Sequence, residues 1–395
     1  MRKELFVVIG ILLFLYGCGD RSWKIVEVRS PAAAESGQPF LASSGKEVWM
    51  SWMEKTSATA HELKHSRWNG EWSTPETIVS GVPLFVNWAD FPSLLPLTGD
   101  RLVAHWLEKK GEGTYAYFVM TSLSEDGGRT WSPPVAAHTD TSPNEHGFAS
   151  LIDDGGGNYS ITWLDGRKFS GDHDSKGEMA LMYSKVVRGG PRNELTLDPR
   201  VCDCCQTAAV QTANGLFIAY RDRSEGEIRD ISYVRSVGDQ WMPPKSINKD
   251  GWHIEGCPVN GPAVDALGDS VVVAWYTGAD EQGRVRVAFS KNNGESFGSS
   301  VQVDDGNPSG RVDVLFLEDG SAVVSWLENL KEQGAEIRIK QIFPDGRSGQ
   351  SLTVADTSQA RASGFPRMAR TGKDLLIAWT YSGDTQGVRV AKIER

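Results

Sequence analysis

The sequence predicts an all-β fold, a β-propeller of four-stranded antiparallel blades. Three observations predict it. A turn followed by an apolar strand that ends in an aromatic residue recurs seven times, each recurrence is flanked by the signals of further short strands, and no segment shows helical periodicity. Seven recurrences predict seven blades, and a six-bladed propeller is the alternative.

The repeated aromatic residues set the period of the fold. They end segments such as GKEVWMSW, GDSVVVAW and DGSAVVSW, and successive aromatics are 51 to 57 residues apart. They are Trp52, Trp106, Trp163, Tyr220, Trp275, Trp326 and Trp379. A nearly constant spacing of this kind indicates one structural unit per repeat.

Each repeat contains the signals of four strands. A short apolar strand precedes a hairpin turn made by Gly, Asn or Asp, and a polar loop, a third strand and a fourth strand follow the aromatic. The seventh repeat lacks its fourth strand, whereas WKIVEV, Trp23 to Val28, is a strand with no blade before it. We expect this N-terminal strand to complete the last blade, because closure removes a free sheet edge.

Residues 1–18 have the pattern of an export signal. Arg2 and Lys3 precede an apolar run of 12 residues, Leu5 to Tyr16, which is shorter than the roughly 20 residues of a membrane-spanning helix. The ending LYGC resembles the lipobox of bacterial lipoproteins. This resemblance implies that Cys18 is lipidated and that the exported protein is held in the cell envelope by lipid alone, in the periplasm or at the cell surface. An ordinary signal peptide with an incidental Cys18 is the alternative.

The remaining residues, 19–395, are expected to form one propeller domain, because no linker or low-complexity tract divides them. The formal net charge of −10 argues against a phosphate backbone as a partner, so nucleic acid is excluded. We expect a monomer without a cofactor, with a glycan or an envelope protein as its partner.

One motif carries a resemblance to a known family. The segment SEDGGRTW lies between the third and fourth strands of the second repeat, and SKNNGESF occupies the same place three repeats later. The pattern resembles the Asp-box, or BNR repeat, of the sialidase superfamily. The residues that match the box are Ser124, Asp126, Gly128, Thr130 and Trp131. We expect them to be structural, with the aspartate accepting backbone N–H groups, the glycine at positive φ and the tryptophan between neighbouring sheets.

The same resemblance implies an activity. Sialidases bind a sugar carboxylate with three arginines, use a tyrosine nucleophile paired with a glutamate, and use an aspartate as acid and base. This implies an exo-glycosidase acting on acidic, sialic-acid-type glycans. The candidate residues are Arg221, Arg311 and Arg367 for the carboxylate, Tyr381 as nucleophile, Glu227 as its partner, and Asp90 or Asp222 as the acid. Arg167 is a further arginine at the same rim.

Two departures from the sialidase pattern keep a second class open. The first repeat, SGQPFLASSG, has no arginine where sialidases carry an FRIP-like motif, and seven blades are predicted where sialidases have six. The alternative is a non-catalytic propeller that binds glycan or protein. It predicts a mixed rim whose arginines are already paired with carboxylates.

Four cysteines follow Cys18 and belong to two neighbouring connections between blades. They are Cys202, Cys204, Cys205 and Cys257. In an exported protein, four converging cysteines predict disulfides, although the sequence does not fix their connectivity. The alternative is a thiolate metal or redox site, but the CxCC spacing matches no strong zinc pattern, and no metal is assigned.

Overall fold

The structure is a computed structural model that describes residues 23–45, 47–169, 177–187, 190–331 and 334–395. Within these ranges the chain forms seven antiparallel sheets, which confirms the all-β fold and the seven blades. The described residues contain no α-helix, and the two short 3-10 turns are Ala279–Glu281 and Arg361–Ser363. The six-bladed alternative is therefore wrong. The predicted signal peptide and Cys18 lie outside the described residues.

The strands follow the chain in blade order. The N-terminal strand is β1 (Lys24–Val28). Blade 1 has β2 (Ser36–Ser44), β3 (Glu47–Lys55), β4 (His61–Trp68) and β5 (Glu76–Val79); blade 2 has β6 (Ser93–Pro96), β7 (Leu102–Lys109), β8 (Tyr117–Ser124) and β9 (Val135–Ala136); blade 3 has β10 (His146–Gly155), β11 (Asn158–Asp165), β12 (Met179–Val187) and β13 (Gly190–Val201).

Blades 4 to 7 continue the same order. Blade 4 has β14 (Ala208–Thr212), β15 (Gly215–Arg221), β16 (Ile231–Val237), β17 (Gln240–Trp241) and β18 (Lys245–Ser246), the last two both pairing with β16. Blade 5 has β19 (Ala263–Leu267), β20 (Ser270–Thr277), β21 (Arg284–Ser290) and β22 (Val301–Gln302); blade 6 has β23 (Pro308–Phe316), β24 (Ala322–Asn329), β25 (Gly334–Ile342) and β26 (Leu352–Ser358); blade 7 has β27 (Arg367–Thr371), β28 (Asp374–Tyr381) and β29 (Gly387–Glu394).

The blades form a closed ring. The first strand of every blade contacts the first strands of the blades on either side, and this chain of contacts returns from β27 to β2. Strand β1 lies at the outer edge of blade 7, antiparallel to β29, with Lys24 opposite Glu394 and Val28 opposite Val390. The first strands therefore surround the central axis, and the loops at their ends surround its two openings.

Hydrophobic side chains fill the gaps between blades. Among the described residues, each of the seven gaps holds one cluster of buried apolar side chains. The seven repeated aromatics are all buried in them. Several of their ring N–H groups donate to a carboxylate two residues further on, as Trp163 does to Asp165 at 2.8 Å. A polar ring atom in a dry core needs such a partner, so these carboxylates stabilise the blades.

The Asp-box of blade 2 is a rigid turn at the interface with blade 1. Asp126 accepts hydrogen bonds from the backbone N–H and the hydroxyl of Thr130, at 2.9 and 2.6 Å, and these bonds lower its pKa to about 2. Gly128 has a φ of +92°, and a Cβ there would lie 2.3 Å from the His65 ring of blade 1. The Trp131 ring packs edge-on against the same histidine. These contacts serve the packing of two blades.

The described residues contain no helix long and apolar enough to span a membrane.

Candidate functional site

The two faces of the ring differ in their loops. The lower face carries the Asp-box turns, whereas the upper face is formed by the connections between blades and by the loops between the second and third strands of each blade. The candidate residues for catalysis and substrate binding all lie on or near the upper face. A groove of about 700 Å³ between blades 2 and 3 lies beside the Asp-box on the other side, away from these residues.

Arg221, at the end of β15, is a buried structural arginine. Its side chain is 1% exposed and lies over the Trp252 ring. Its Nε and Nη2 donate to the carbonyl of Asn260 at 2.9 and 2.7 Å, Nη1 donates to that of Arg229 at 2.6 Å, and Nη2 also donates to that of Tyr276 at 2.7 Å. Arg221 therefore joins loops of blades 4 and 5 and is not presented to a ligand.

Arg311 has a similar role between blades 6 and 7. Its Nη1 donates to the carbonyls of Ala360 and Gly364, both at 3.1 Å, and Nη2 donates to that of Gln359 at 3.4 Å. The guanidinium lies 4.9 Å above the Trp88 ring, and burial lowers its pKa to about 10. Its partners are uncharged carbonyls of the segment between β26 and β27, so the guanidinium holds this connection in place.

Arg167 is held by two carboxylates. Its Nε and Nη2 each donate to Asp165 at 2.7 Å, and Nη2 also lies 2.6 Å from Glu194. The bidentate bond to Asp165 raises the pKa of Arg167 above its usual value. This pairing of a rim arginine with carboxylates is what the non-catalytic alternative predicts.

Arg367, the first residue of β27, faces the central axis. Its nearest carboxylate is Asp313, at 3.7 Å, and its guanidinium lies over the rings of Phe40 and Phe91 at 4.8 and 5.7 Å. Its Nε is buried and makes no hydrogen bond within the part of the chain that the structure describes. Arg367 thus differs from the other three candidates, because its guanidinium makes no hydrogen bond to the described residues and its partly exposed side chain lines a cavity.

That cavity of about 100 Å³ lies on the axis between the first strands. Aromatic rings and polar groups line it together. The lining includes Phe40, Phe91, Phe148, Asp90, Ser93, Ser150, Gln206 and Arg367. Ligand pockets combine apolar surface with a few convergent polar groups and usually measure about 300 to 1,000 Å³, so this cavity has the lining of a ligand pocket at a smaller size.

Asp90 borders this cavity and belongs to a buried acidic network. Its Oδ1 accepts the backbone N–H of Phe148 at 2.8 Å, and the Tyr117 hydroxyl lies 3.1 Å from its Oδ2 and 2.7 Å from Oε1 of Glu145. Burial raises the pKa of Asp90 to about 7 and that of Glu145 well above its usual value. Burial and the two carboxylates also raise the pKa of Tyr117, so it stays a phenol.

The remaining acidic candidates are engaged in blade 4. Glu227 lies within 3.4 Å of Arg200, Arg223 and Arg229; burial opposes ionisation, but the hydrogen bonds from Arg223 and Arg229 lower its pKa. Asp222 accepts the Ser232 hydroxyl at 3.0 Å, and burial raises its pKa.

Tyr381, the predicted nucleophile, ends β28 in blade 7. The guanidinium of Arg389 lies 3.6 Å above its ring. Its predicted partner Glu227 lies on the loop between β15 and β16 in blade 4, where it is bound to arginines. Glu227 is thus paired with arginines, and no contact between it and Tyr381 is among those of the described residues.

The four cysteines do come together, as thiols. All four are free, so the predicted disulfides are not confirmed. Cys202 Sγ lies 3.4 Å from Cys205 Sγ and 3.9 Å from Cys204 Sγ, and Cys204 also hydrogen-bonds with Cys257. Burial opposes ionisation, but hydrogen bonds with Cys204 and Cys205 and the charge of Arg229 lower the pKa of Cys202.

Sequence reasoning missed Tyr117, Glu145 and the contact of Arg229 with the cysteines. Tyr117 sits within an apolar strand and has the pattern of an ordinary core aromatic. Glu145 belongs to the connection between blades 2 and 3, and its sequence, EHGF, gives no sign of a carboxylate buried beside a tyrosine. Arg229 lies in the most charged loop of the chain, which is a signal, but its partner is distant in sequence.

The ring of blades and the Asp-box turns together define an Asp-box propeller. The family model described as "BNR repeat-like domain" matches residues 48–352, so the chain belongs to this family. No curated protein matches the chain.

Several solved structures are similar to it. A protein of unknown function from Dyadobacter fermentans is 13% identical, with 94% of this chain and 97% of that chain covered and a TM-score of 0.53. The NanB sialidase from Streptococcus pneumoniae is 10% identical, with 94% of both chains covered and a TM-score of 0.49. The intramolecular trans-sialidase from Ruminococcus gnavus is 12% identical, with 80% and 97% covered and a TM-score of 0.49. At these identities the likeness concerns the fold.

Proposed function

We propose that this protein is an envelope lipoprotein that binds glycans at the central cavity and does not hydrolyse sialosides. The observation that carries the proposal is the state of the four candidate arginines. Three of them, Arg167, Arg221 and Arg311, direct their donors at carboxylates or carbonyls of their own chain. Only one of the four, Arg367, makes no side-chain hydrogen bond to the described residues, and its side chain is 21% exposed.

Arg221 would have to give up its present hydrogen bonds in order to bind a substrate carboxylate, and their loss is energetically unfavourable. A hydrogen bond from a charged group contributes about 1.5 to 3 kcal/mol, so its four bonds represent about 6 kcal/mol or more. Releasing them also takes a donor from two buried carbonyls and one part-buried carbonyl. One ligand carboxylate does not offset that cost.

The candidate nucleophiles support the same conclusion. Tyr381 is covered by Arg389, and its predicted partner Glu227 is paired with three arginines. Tyr117 has carboxylates beside it, but it is buried and does not line the cavity. A tyrosine nucleophile needs an open path to the anomeric carbon, which supports a binding role over hydrolysis.

The cavity has the chemistry that a sugar requires. The rings of Phe40, Phe91 and Phe148 offer apolar surface to C–H groups, and the Asp90 oxygens, which accept one hydrogen bond each from the chain, have lone pairs left for a hydroxyl. The Arg367 guanidinium makes an acidic sugar the favoured ligand, because a carboxylate complements a guanidinium that makes no hydrogen bond to the described residues. The proposed ligand is therefore the end of an anionic glycan.

Two assays test the proposal. A fluorogenic sialoside is expected to be hydrolysed no faster than in buffer, and calorimetric titration with sialyllactose and with a glucuronate-terminated oligosaccharide is expected to show binding to at least one of them. The Arg367→Met variant is expected to weaken that binding about tenfold or more, which corresponds to the loss of about 1.4 kcal/mol.

The matched control is Arg347→Ala, because Arg347 is an exposed arginine on the lower face. It is expected to bind as the unchanged protein does. Sialoside turnover that disappears in Arg367→Met would refute the non-catalytic part of the proposal, and binding to neither glycan would refute the ligand class.

A further inference from the structure

The connection between blades 3 and 4 gathers thiol groups into one cluster. Cys202, Cys204 and Cys205 place their sulfur atoms within 4.8 Å of one another. Cys202 and Cys205 are fully buried, so their sulfur atoms are shielded from water. Cys257 arrives from the next connection between blades, is exposed, and hydrogen-bonds with Cys204. Three sulfur atoms are thus clustered, and Cys257 stands beside them in contact with Cys204, without lying within 4.8 Å of all three.

The separations between the sulfur atoms have the size that a shared metal ion requires. A Zn–S bond of about 2.3 Å in a tetrahedral site places neighbouring sulfurs about 3.8 Å apart. Cys202 Sγ lies 3.4 Å from Cys205 Sγ and 3.9 Å from Cys204 Sγ. A disulfide needs about 2.05 Å. The cluster is therefore already close to ligand spacing, whereas each disulfide would require the sulfurs to approach further.

The surroundings of the cluster are suited to bound thiolates. The Nη1 atom of Arg229 donates to Cys202 Sγ at 3.3 Å, and Arg229 is itself fixed by Glu227 at 2.8 Å. Arg223 is held close by through Glu227 and Asp203. Positive side chains that are positioned by other residues offset the negative charge of a metal–thiolate centre, as outer-sphere groups do at known sites.

We propose that Cys202, Cys204, Cys205 and Cys257 form a binding site for one thiophilic d10 cation, Zn²⁺ or Cu⁺. The thiols release their protons to solvent as the ion binds, and the exposed Cys257 lies on the path of entry. This site is separate from the proposed glycan site, so either proposal stands or falls without the other.

Metal binding is tested on the whole exported chain, reduced and then freed of reductant without oxygen. One sample is titrated with Zn²⁺ against a chromophoric chelator, and a second with Cu⁺ against bathocuproine disulfonate. We expect one equivalent of at least one ion per chain. We also expect that the bound ion protects the four cysteines from iodoacetamide, as mapped by mass spectrometry. The titration in which one equivalent binds identifies the ion.

Variants locate the ion. Cys205→Ser is expected to abolish stoichiometric binding, and Cys257→Ser to weaken it, because the fourth ligand is lost. Arg229→Lys is expected to weaken binding about tenfold, as outer-sphere changes do. Arg347→Ala serves as the control and is expected to bind fully.

Three results would overturn the assignment. The first is that the folded, reduced protein binds neither ion. The second is that binding remains intact in Cys205→Ser. The third is that the alkylation pattern of the four cysteines is the same with and without the ion, a readout that needs no variant to fold.

Discussion

Replacing Arg221 tests whether this arginine stabilises the fold or binds a ligand. Arg221→Met keeps most of the side-chain volume and removes every donor. The buried carbonyls of Asn260 and Arg229 and the part-buried carbonyl of Tyr276 then lose a donor. Each buried unsatisfied group costs about 1 to 3 kcal/mol, so we expect the free energy of unfolding to fall by about 3 to 9 kcal/mol. This is a large part of the 5 to 15 kcal/mol typical of folded domains.

Urea unfolding followed by tryptophan fluorescence measures this loss, since the chain has 14 tryptophans. Arg221→Lys keeps the charge but not the forked geometry, so it is expected to be intermediate. Arg347→Ala, with a side chain that is 72% exposed, is expected to change the unfolding free energy by less than about 0.5 kcal/mol. The reasoning is refuted if Arg221→Met unfolds at the midpoint of the unchanged protein and has lost its glycan binding.

Three further predictions concern pH, the Asp-box and the anchor. Burial raises the pKa of Asp90 to about 7 in the folded state, so between about pH 4 and pH 7 the folded protein holds a proton that the unfolded chain releases. The free energy of unfolding therefore falls as the pH rises through this range. Unfolding measured at several pH values should show a smaller fall for the Asp90→Asn variant. Gly128→Ala places a Cβ against the ring of His65 and should lower the unfolding free energy by about 2 kcal/mol more than Gly127→Ala, where φ is also positive but no atom lies within 4 Å; equal losses would contradict the packing role. Cys18→Ser should abolish the labelling of the protein by radioactive palmitate in the producing bacterium, and labelling that persists would disprove the predicted anchor.

The fold was predictable because its signals are local and repeated. The aromatic at the end of each second strand, the hairpin turns and the apolar alternation each need only a few neighbouring residues, and seven repeats reinforce one another. The position of the Asp-box followed from the same period. None of these signals depends on contacts between loops that are distant in the sequence.

The chemistry of the upper face depends on contacts between distant residues, and this is why it was not predictable. The carbonyls that bind Arg221 are 8, 39 and 55 positions away along the chain. An arginine beside carboxylates in the sequence has the same pattern whether its donors face a cavity or a neighbouring carbonyl. Glu227 illustrates the point, since the predicted partner of the nucleophile is bound to Arg223 and Arg229.

The abundance of arginine on the upper face has a physical cause that does not involve a substrate. The connections between blades are irregular and partly buried, so their carbonyls cannot all be satisfied by strand pairing, and a buried carbonyl without a donor is costly. One guanidinium has five donors in a planar fork and can satisfy carbonyls from several loops at once, as Arg221 and Arg311 do. A rim arginine is therefore informative about ligands only when a donor is left over beside a cavity. By that criterion Arg367 is the candidate for ligand binding, and the other three hold the loops that surround it.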